Sequence, residues 1–167
     1  MKLKRAQLYL REYPRLIRHL NQLIALAPGD PNVTLIALFG STARLEPRAI
    51  SDTDLLILLH EERLFHNLSQ VKTGVDLLVQ AYEAPYGEWC QWGFSAVDGN
   101  AQASDLDEDF VRIVGEDGVL LYQQAGAPLP LPLAKLTPYA VWLKRVEELL
   151  ARCERRLAAE AVGAPGL

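Results

Sequence analysis

Val33-Thr34-Leu35-Ile36-Ala37-Leu38-Phe39-Gly40-Ser41-Thr42-Ala43-Arg44, followed after a short spacer by Ser51-Asp52-Thr53-Asp54-Leu55-Leu56-Ile57-Leu58-Leu59, decides how this chain folds. The first seven residues are apolar or β-branched, the composition of a strand buried on both faces. Gly40-Ser41 then turns the chain from strand to helix. That helix must be brief, because Pro47 and Ser51 interrupt it. A second strand is expected from Asp52 to Leu59, polar at its start and solidly apolar behind.

Side chains alternate faces along a strand, so Asp52 and Asp54 share one side while Thr53 and Leu55 take the other. Two carboxylates about 7 Å apart at their origins repel unless a cation lies between them. An oxygen-only donor set suits Mg²⁺ or Mn²⁺. Asp76 follows Gly74 in a third expected strand, Val75 to Val79, and adds a third acid that could complete a two-metal site or accept a proton. Gly40 and Ser41 supply a close backbone approach, helix N–H groups and a hydroxyl for an anionic group, and Arg44 adds a positive charge. These parts describe phosphoryl or nucleotidyl transfer.

Outward from this centre, apolar residues recur at helical spacing from Leu3 to Ala27, with Pro14 expected to kink or restart the helix. Residues 28–32 are dense in turn formers. Downstream of the third strand, Glu61 to Val71 has mixed helical character, Ala84 to Ala103 reads as loop and short helix, and Asp105 to Val114 reads as a helix with an acidic start. Gly118 to Tyr122 is a short strand, and a proline-rich connector leads to a long helix from Thr137 to Ala161, capped by Thr137-Pro138. The expected architecture is α/β (α+β): a small mixed sheet flanked by helices at both chain ends. Its organisation is an N-terminal helical segment at 1–30, a core at 31–125 and a C-terminal helix at 133–162, effectively a single domain.

The chain has 167 residues, half of them apolar, and a formal net charge of −4. Lys and Arg are spread along the sequence, so this balance argues against nucleic acid or a membrane surface as partner. Cys90 and Cys153 are far apart and suggest neither a disulfide framework nor zinc. With no signal peptide and no apolar run long enough to span a bilayer, a cytoplasmic location is expected.

The run Leu38-Phe39-Gly40-Ser41-Thr42-Ala43-Arg44, ten residues between Ser41 and Asp52, and Ser51-Asp52-Thr53-Asp54-Leu55-Leu56-Ile57 resemble the signature of the DNA polymerase β-like nucleotidyltransferases. The likeness is nearest to the minimal nucleotidyltransferases (MNT), which include antitoxins paired with HEPN toxins. Their motif reads Gly-Ser-x-Ala-Arg-Gly before Ser-Asp-x-Asp-Leu, and here Leu45 stands in place of the final glycine. The resemblance implies a polymerase β-like fold with extra N- and C-terminal helices. It implies that Asp52, Asp54 and Asp76 are catalytic and hold the metals, and that Gly40 and Ser41, with Arg44, bind the nucleotide. It further implies Mg²⁺ (or Mn²⁺) as cofactor, an NTP, ATP above all, as donor, and a tyrosine of a HEPN-type protein as acceptor. The Gly118 to Tyr122 segment loosely matches the end of such domains.

Two alternatives stand beside this reading. One is a non-catalytic antitoxin or complex subunit that acts by binding; the other is a small-molecule adenylyltransferase of the aminoglycoside type. Asp105-Leu106-Asp107-Glu108-Asp109 repeats the Asp-x-Asp spacing but sits where acids complement a helix dipole. His60 and His66 lack metal-ligand spacing and are read as surface residues. Trp89 and Trp92 serve core packing or a stacking pocket. Leu143, Leu149, Leu150 and Leu157 pack on the sheet or on a second subunit, so a homo-oligomer through the terminal helices stays open.

Overall fold

The computed structural model describes residues 1–29, 31, 33–48, 53–59, 92–98, 108–127 and 131–163. Helix α1 (Leu3–Leu26) leads through a short 3-10 turn (Ala27–Gly29) into β1 (Val33–Phe39), the brief helix α2 (Gly40–Ala43) and β2 (Thr53–Leu59). There follow β3 (Trp92–Asp98), α3 (Glu108–Asp117), β4 (Val119–Gln123), a second 3-10 turn (Leu131–Lys135), β5 (Thr137–Pro138) and α4 (Tyr139–Gly163).

These strands form one sheet in the order β3-β2-β1-β4-β5. β1 lies at its centre and runs antiparallel to both β2 and β4, whereas the outer pairs, β2 with β3 and β4 with β5, are parallel. The sheet is therefore mixed, as the sequence led us to expect. β1 is buried on both faces, which is why it has no polar alternation. Ile36 and Leu38, with Leu55 and Ile57 from β2 and Val119 and Leu121 from β4, pack against α1 and α4. Leu35 and Ala37, with Leu56 and Leu58, pack on the opposite face against Val114 of α3 and Leu133 and Leu136.

Both terminal helices cover the same face of the sheet. α1 buries Ala6, Tyr9, Tyr13, Leu16, Leu20 and Leu23 in a line of helical period, and α4 buries Trp142, Val146, Leu149 and Cys153. Tyr13 meets Tyr9 edge-on at 5.6 Å and Trp142 at 6.2 Å, and Tyr139 stacks on Trp142 at 5.9 Å. An aromatic cluster thus joins the two ends of the chain. Leu149 is buried in this core, with Leu143, Leu150 and Leu157 half-buried beside it.

Three local expectations are corrected. Pro14 does not start the helix afresh: α1 is one helix from Leu3 to Leu26. The proline sits on the exposed side, where the carbonyl it cannot serve has access to water. The region 84–103 was expected to be loop and short helix, yet residues 92–98 form β3, paired along its whole length with β2. Trp92, Phe94 and Ala96 do keep a two-residue period, but Gly87, Gly93 and Gly99 around them read as turn. Thr137-Pro138 is no helix cap: the Thr137 N–H donates to the Gly118 carbonyl at 2.9 Å, and the pair forms β5 beside β4. The third strand expected at Val75 to Val79, the helical stretch Glu61 to Val71 and residues 105–107 lie outside the described residues.

Gly118, between α3 and β4, is where the chain turns back onto the sheet. Its N–H donates to the Val114 carbonyl at 2.7 Å, and a Cβ there would collide with that carbonyl and with Leu136. Only glycine admits this approach, whatever its dihedral angles.

Burial pushes the Tyr139 phenol up to about 12, and burial also raises that of Tyr9. A phenol whose folded pKa lies above its unfolded value of 10.0 contributes stability that is intact below pH 10 and lost as the pH climbs toward 12. The thermal midpoint is expected to fall between pH 10 and 12, and Tyr139→Phe should lose less over that interval than the unmodified protein. A pH series of melting curves for the two proteins checks this; parallel declines would refute it.

Candidate functional site

The end of β1 and the beginning of β2 meet, because Phe39 and Asp54 are partners across the antiparallel ladder. Alternation along β2 sends Thr53, fully buried, to the face covered by α1 and α4, together with Leu55 and Ile57. Asp54 takes the other face with Leu56 and Leu58, and is half-buried at its edge. Gly40, the residue after Phe39, has φ +75, the left-handed region that side chains disfavour. A Cβ at Gly40 would land on the Asp54 carboxylate, at Oδ2 and then Cγ. Glycine is therefore required twice here, for its dihedral angle and for the room it leaves beside the acid.

Ser41 lies within α2 and is half-buried. The cap position of α2 is Phe39, and no side chain caps the helix. Ser41 is thus not the helix cap. Arg44 ends α2 and points to Asp117 at the end of α3, Nη1 to Oδ2 at 3.1 Å. Both side chains are more than a third exposed, so the pair is worth at most about 1 kcal/mol. The structure brings together Gly40, Ser41 and Asp54; Arg44 is nearby in sequence but engaged by an acid.

Of the expected carboxylate trio, Asp54 is described, while Asp52 and Asp76 lie outside the described residues. Among the described residues no three His, Cys, Asp or Glu side chains gather as a metal cluster. Asp54 offers the carboxylate oxygens a hard cation takes, half-buried beside the Gly40 backbone. His60, His66 and Trp89 are also outside the described residues.

The terminal helices, expected to pack on the sheet or on a second subunit, also hold the corner. The Tyr13 hydroxyl donates to the Thr42 carbonyl at 3.3 Å, and the Trp142 indole N–H donates to the Ala43 carbonyl at 3.0 Å. The Tyr9 hydroxyl accepts from Arg5 Nε at 2.7 Å and donates to the Pro47 carbonyl at 3.3 Å. All three aromatic residues are 2% exposed or less. A buried phenol or indole must find a partner, so aromatic residues on the apolar stripes of α1 and α4 were the available signal. What the sequence could not show is that their partners would be backbone carbonyls of the segment joining Gly40-Ser41 to β2.

Leu45, which stands where the related motif has glycine, has φ +63. The chain takes the left-handed turn that glycine would favour, and leucine bears the strain. Its side chain packs against the core beneath α1 and α4. Leu45 to Arg48 also form one wall of an open groove of about 780 Å³, whose other walls are the first turns of α1 and Leu149.

Leu45→Gly removes both side chain and strain, whereas Leu45→Ala removes the side chain and keeps the strain. The glycine variant should be the more stable by about 1 kcal/mol, the reverse of the order inside a helix. Denaturant midpoints of the two variants test this; a more stable alanine variant would show that the turn is not left-handed. Trp142→Phe should cost about 1–3 kcal/mol by removing the indole donor to the Ala43 carbonyl, and Tyr13→Phe about 0.5–1.5 kcal/mol, since the Thr42 carbonyl keeps its bond from the Leu45 N–H. Chemical denaturation measures the loss, and a change below about 0.3 kcal/mol in both would contradict the tethering.

A family model described as Polymerase beta, Nucleotidyltransferase matches residues 21–83. No curated protein matches the chain in sequence. Among solved structures, a chain of a toxin-antitoxin complex with AMP-PNP is 17% identical, with 88% of this chain and 98% of that one covered and a TM-score of 0.37. A chain of the complex of tri-AMPylated Shewanella oneidensis HEPN toxin with MNT antitoxin is 19% identical, covers 87% and 97%, and has a TM-score of 0.38. A candidate nucleotidyltransferase from Sulfolobus solfataricus is 18% identical, covers 69% and 93%, and has a TM-score of 0.35. Overlaps this loose carry no chemistry from one chain to the other. The matched stretch 21–83 contains the Gly40-Ser41 corner, β2 and all three candidate acids, and over that stretch the chain is similar to the polymerase β-like nucleotidyltransferases.

Proposed function

We propose that the protein transfers a nucleoside monophosphate, AMP from ATP, to a hydroxyl group, and that the acceptor is a tyrosine of a HEPN-type partner. The observation that carries this reading is the left-handed Gly40 against the Asp54 carboxylate, which supports a glycine backbone and an acidic side chain acting together at one corner of the sheet. The family match across residues 21–83 supports the reaction class, and the motif resemblance of residues 38–57 supports the acceptor.

In this reading Gly40 and Ser41 receive the β- and γ-phosphates, through backbone N–H groups and the serine hydroxyl. Asp52, Asp54 and Asp76 would hold Mg²⁺ or Mn²⁺, which when bound neutralises charge on the triphosphate. The acceptor oxygen attacks the α-phosphorus and its proton passes to Asp76. The bond from the α-phosphorus to the bridging oxygen of the β-phosphate breaks, and pyrophosphate leaves toward the glycine-serine corner. Arg44 can join the phosphates by exchanging Asp117 for them, since an exposed pair is cheap to open.

With ATP labelled at the α-phosphate, a purified HEPN-type partner and Mg²⁺, label should pass to a partner tyrosine and be abolished by chelation. Asp54→Asn should slow transfer by at least about 100-fold. If Asp54→Asn restrained the partner as well as the unmodified protein does, binding without catalysis would replace this reading.

A further inference from the structure

Asp117 is the last residue of α3, and nothing about the helix itself asks for an acid there. The C-terminal end of a helix carries partial negative charge, which favours a base, and the last turn of α3 holds none. Its neighbour Glu116 is matched within the helix, since Arg112 Nη1 donates to both carboxylate oxygens at 3.2 Å. Asp117 takes its partner from outside the helix, the Arg44 guanidinium at the end of α2.

The sheet brings this acid to the candidate site. Phe39 pairs with Asp54 and Leu38 with Val119, so the end of β1 is flanked by Asp54 on one side and, two residues ahead of Val119, by Asp117 on the other. Helix α3 covers the face of the sheet on which Asp54 stands, where Val114 packs with Leu56 and Leu58. Arg44 lies one helical turn beyond Gly40, its N–H donating to the Gly40 carbonyl at 3.1 Å. The corner therefore has an acid on either side of the glycine, and an arginine between them that Asp117 holds.

That hold is easily released. Arg44 gives Asp117 a single Nη1–Oδ2 hydrogen bond at 3.1 Å, not the two-pronged fit that makes an arginine–carboxylate pair strong. Both side chains are more than a third exposed, so water can replace the lost partner on each. A phosphate group at the Gly40-Ser41 corner would offer the same guanidinium an acceptor of higher charge.

We infer that Asp117 is a specificity-determining residue: it competes with phosphate for Arg44, and so sets how strongly the corner favours ligands that carry phosphates beyond the α position. The inference rests on the nucleotidyl-transfer reading above, in which the β- and γ-phosphates lie at Gly40 and Ser41 and the α-phosphate lies at the acids. ATP and pyrophosphate draw Arg44 away from Asp117, whereas AMP, with its one phosphate at the acids, leaves the pair closed. Asp117 thereby loosens the grip on polyphosphates, and by recapturing Arg44 it helps pyrophosphate to leave.

Equilibrium dialysis of labelled ATP, pyrophosphate and AMP, each with Mg²⁺, against the intact protein and without an acceptor, tests this. Asp117→Asn should tighten ATP and pyrophosphate about twofold to fivefold, the range open to an exposed ion pair, and leave AMP within about 1.5-fold. In the Arg44→Gln background the same substitution should change ATP affinity by less than about 1.5-fold, because no guanidinium remains to be released. Asp117→Glu, which keeps the carboxylate, should not show the gain. An equal gain for AMP, or an equal gain in the Arg44→Gln background, would mean that Asp117 only repels anions and would overturn the inference. Unchanged or weaker ATP binding by Asp117→Asn would overturn it too, while leaving the reaction class standing. Should the unmodified protein bind neither ATP nor pyrophosphate, the nucleotidyl-transfer reading itself falls, and the inference with it.

Discussion

The contact between the backbone of Gly40 and the carboxylate of Asp54 constrains everything around it. Phe39 and Asp54 are cross-strand partners, so the register of β1 against β2 must hold to a single residue for the acid to stand beside the glycine. A slip of one position would turn Asp54 into the core under α1 and bring Thr53 to the corner. The buried run of β1 and the apolar tail of β2 enforce that register, because any other pairing exposes Leu55 to Leu58 or buries charge. A corner of this kind is thus only as well defined as the hydrophobic core behind it.

The chain ends complete the arrangement. α2 has four residues and makes too few internal hydrogen bonds to be stable by itself. Its carbonyls, and that of Pro47, are instead held by Tyr13, Trp142 and Tyr9 from two helices more than a hundred residues apart in sequence. Each hydroxyl or N–H is buried, so the alternative to bonding the segment is an unsatisfied donor. The same held segment contains Leu45 at φ +63, so the tethers also maintain a turn that leucine alone would avoid.

Much of this was legible from residues alone. β1, the brevity of α2, β2 and β4 follow from runs of apolar residues punctuated by Gly40, Pro47 and Gly118, and α1 from its periodicity. β3 was not legible, because Gly93 and its glycine-rich surroundings have low strand preference and its partner β2 lies more than thirty residues earlier. Thr137-Pro138 has the look of a helix start, and only the nearby carbonyl of Gly118 makes it a strand. Gly40, Ser41 and Asp54 could be picked out as a motif, but not the reason for the glycine, since a clash with a side chain fourteen positions away has no local signature.

By itself the sequence determined the strands whose burial is written in their composition, the corner between them and the type of acid placed there, since these depend on local preference and period. The tertiary structure alone decided that Tyr9, Tyr13 and Trp142 would hold that corner and that Arg44 would meet Asp117. Those outcomes depend on which distant surfaces pack together, and packing is set by the whole core and not by any one segment.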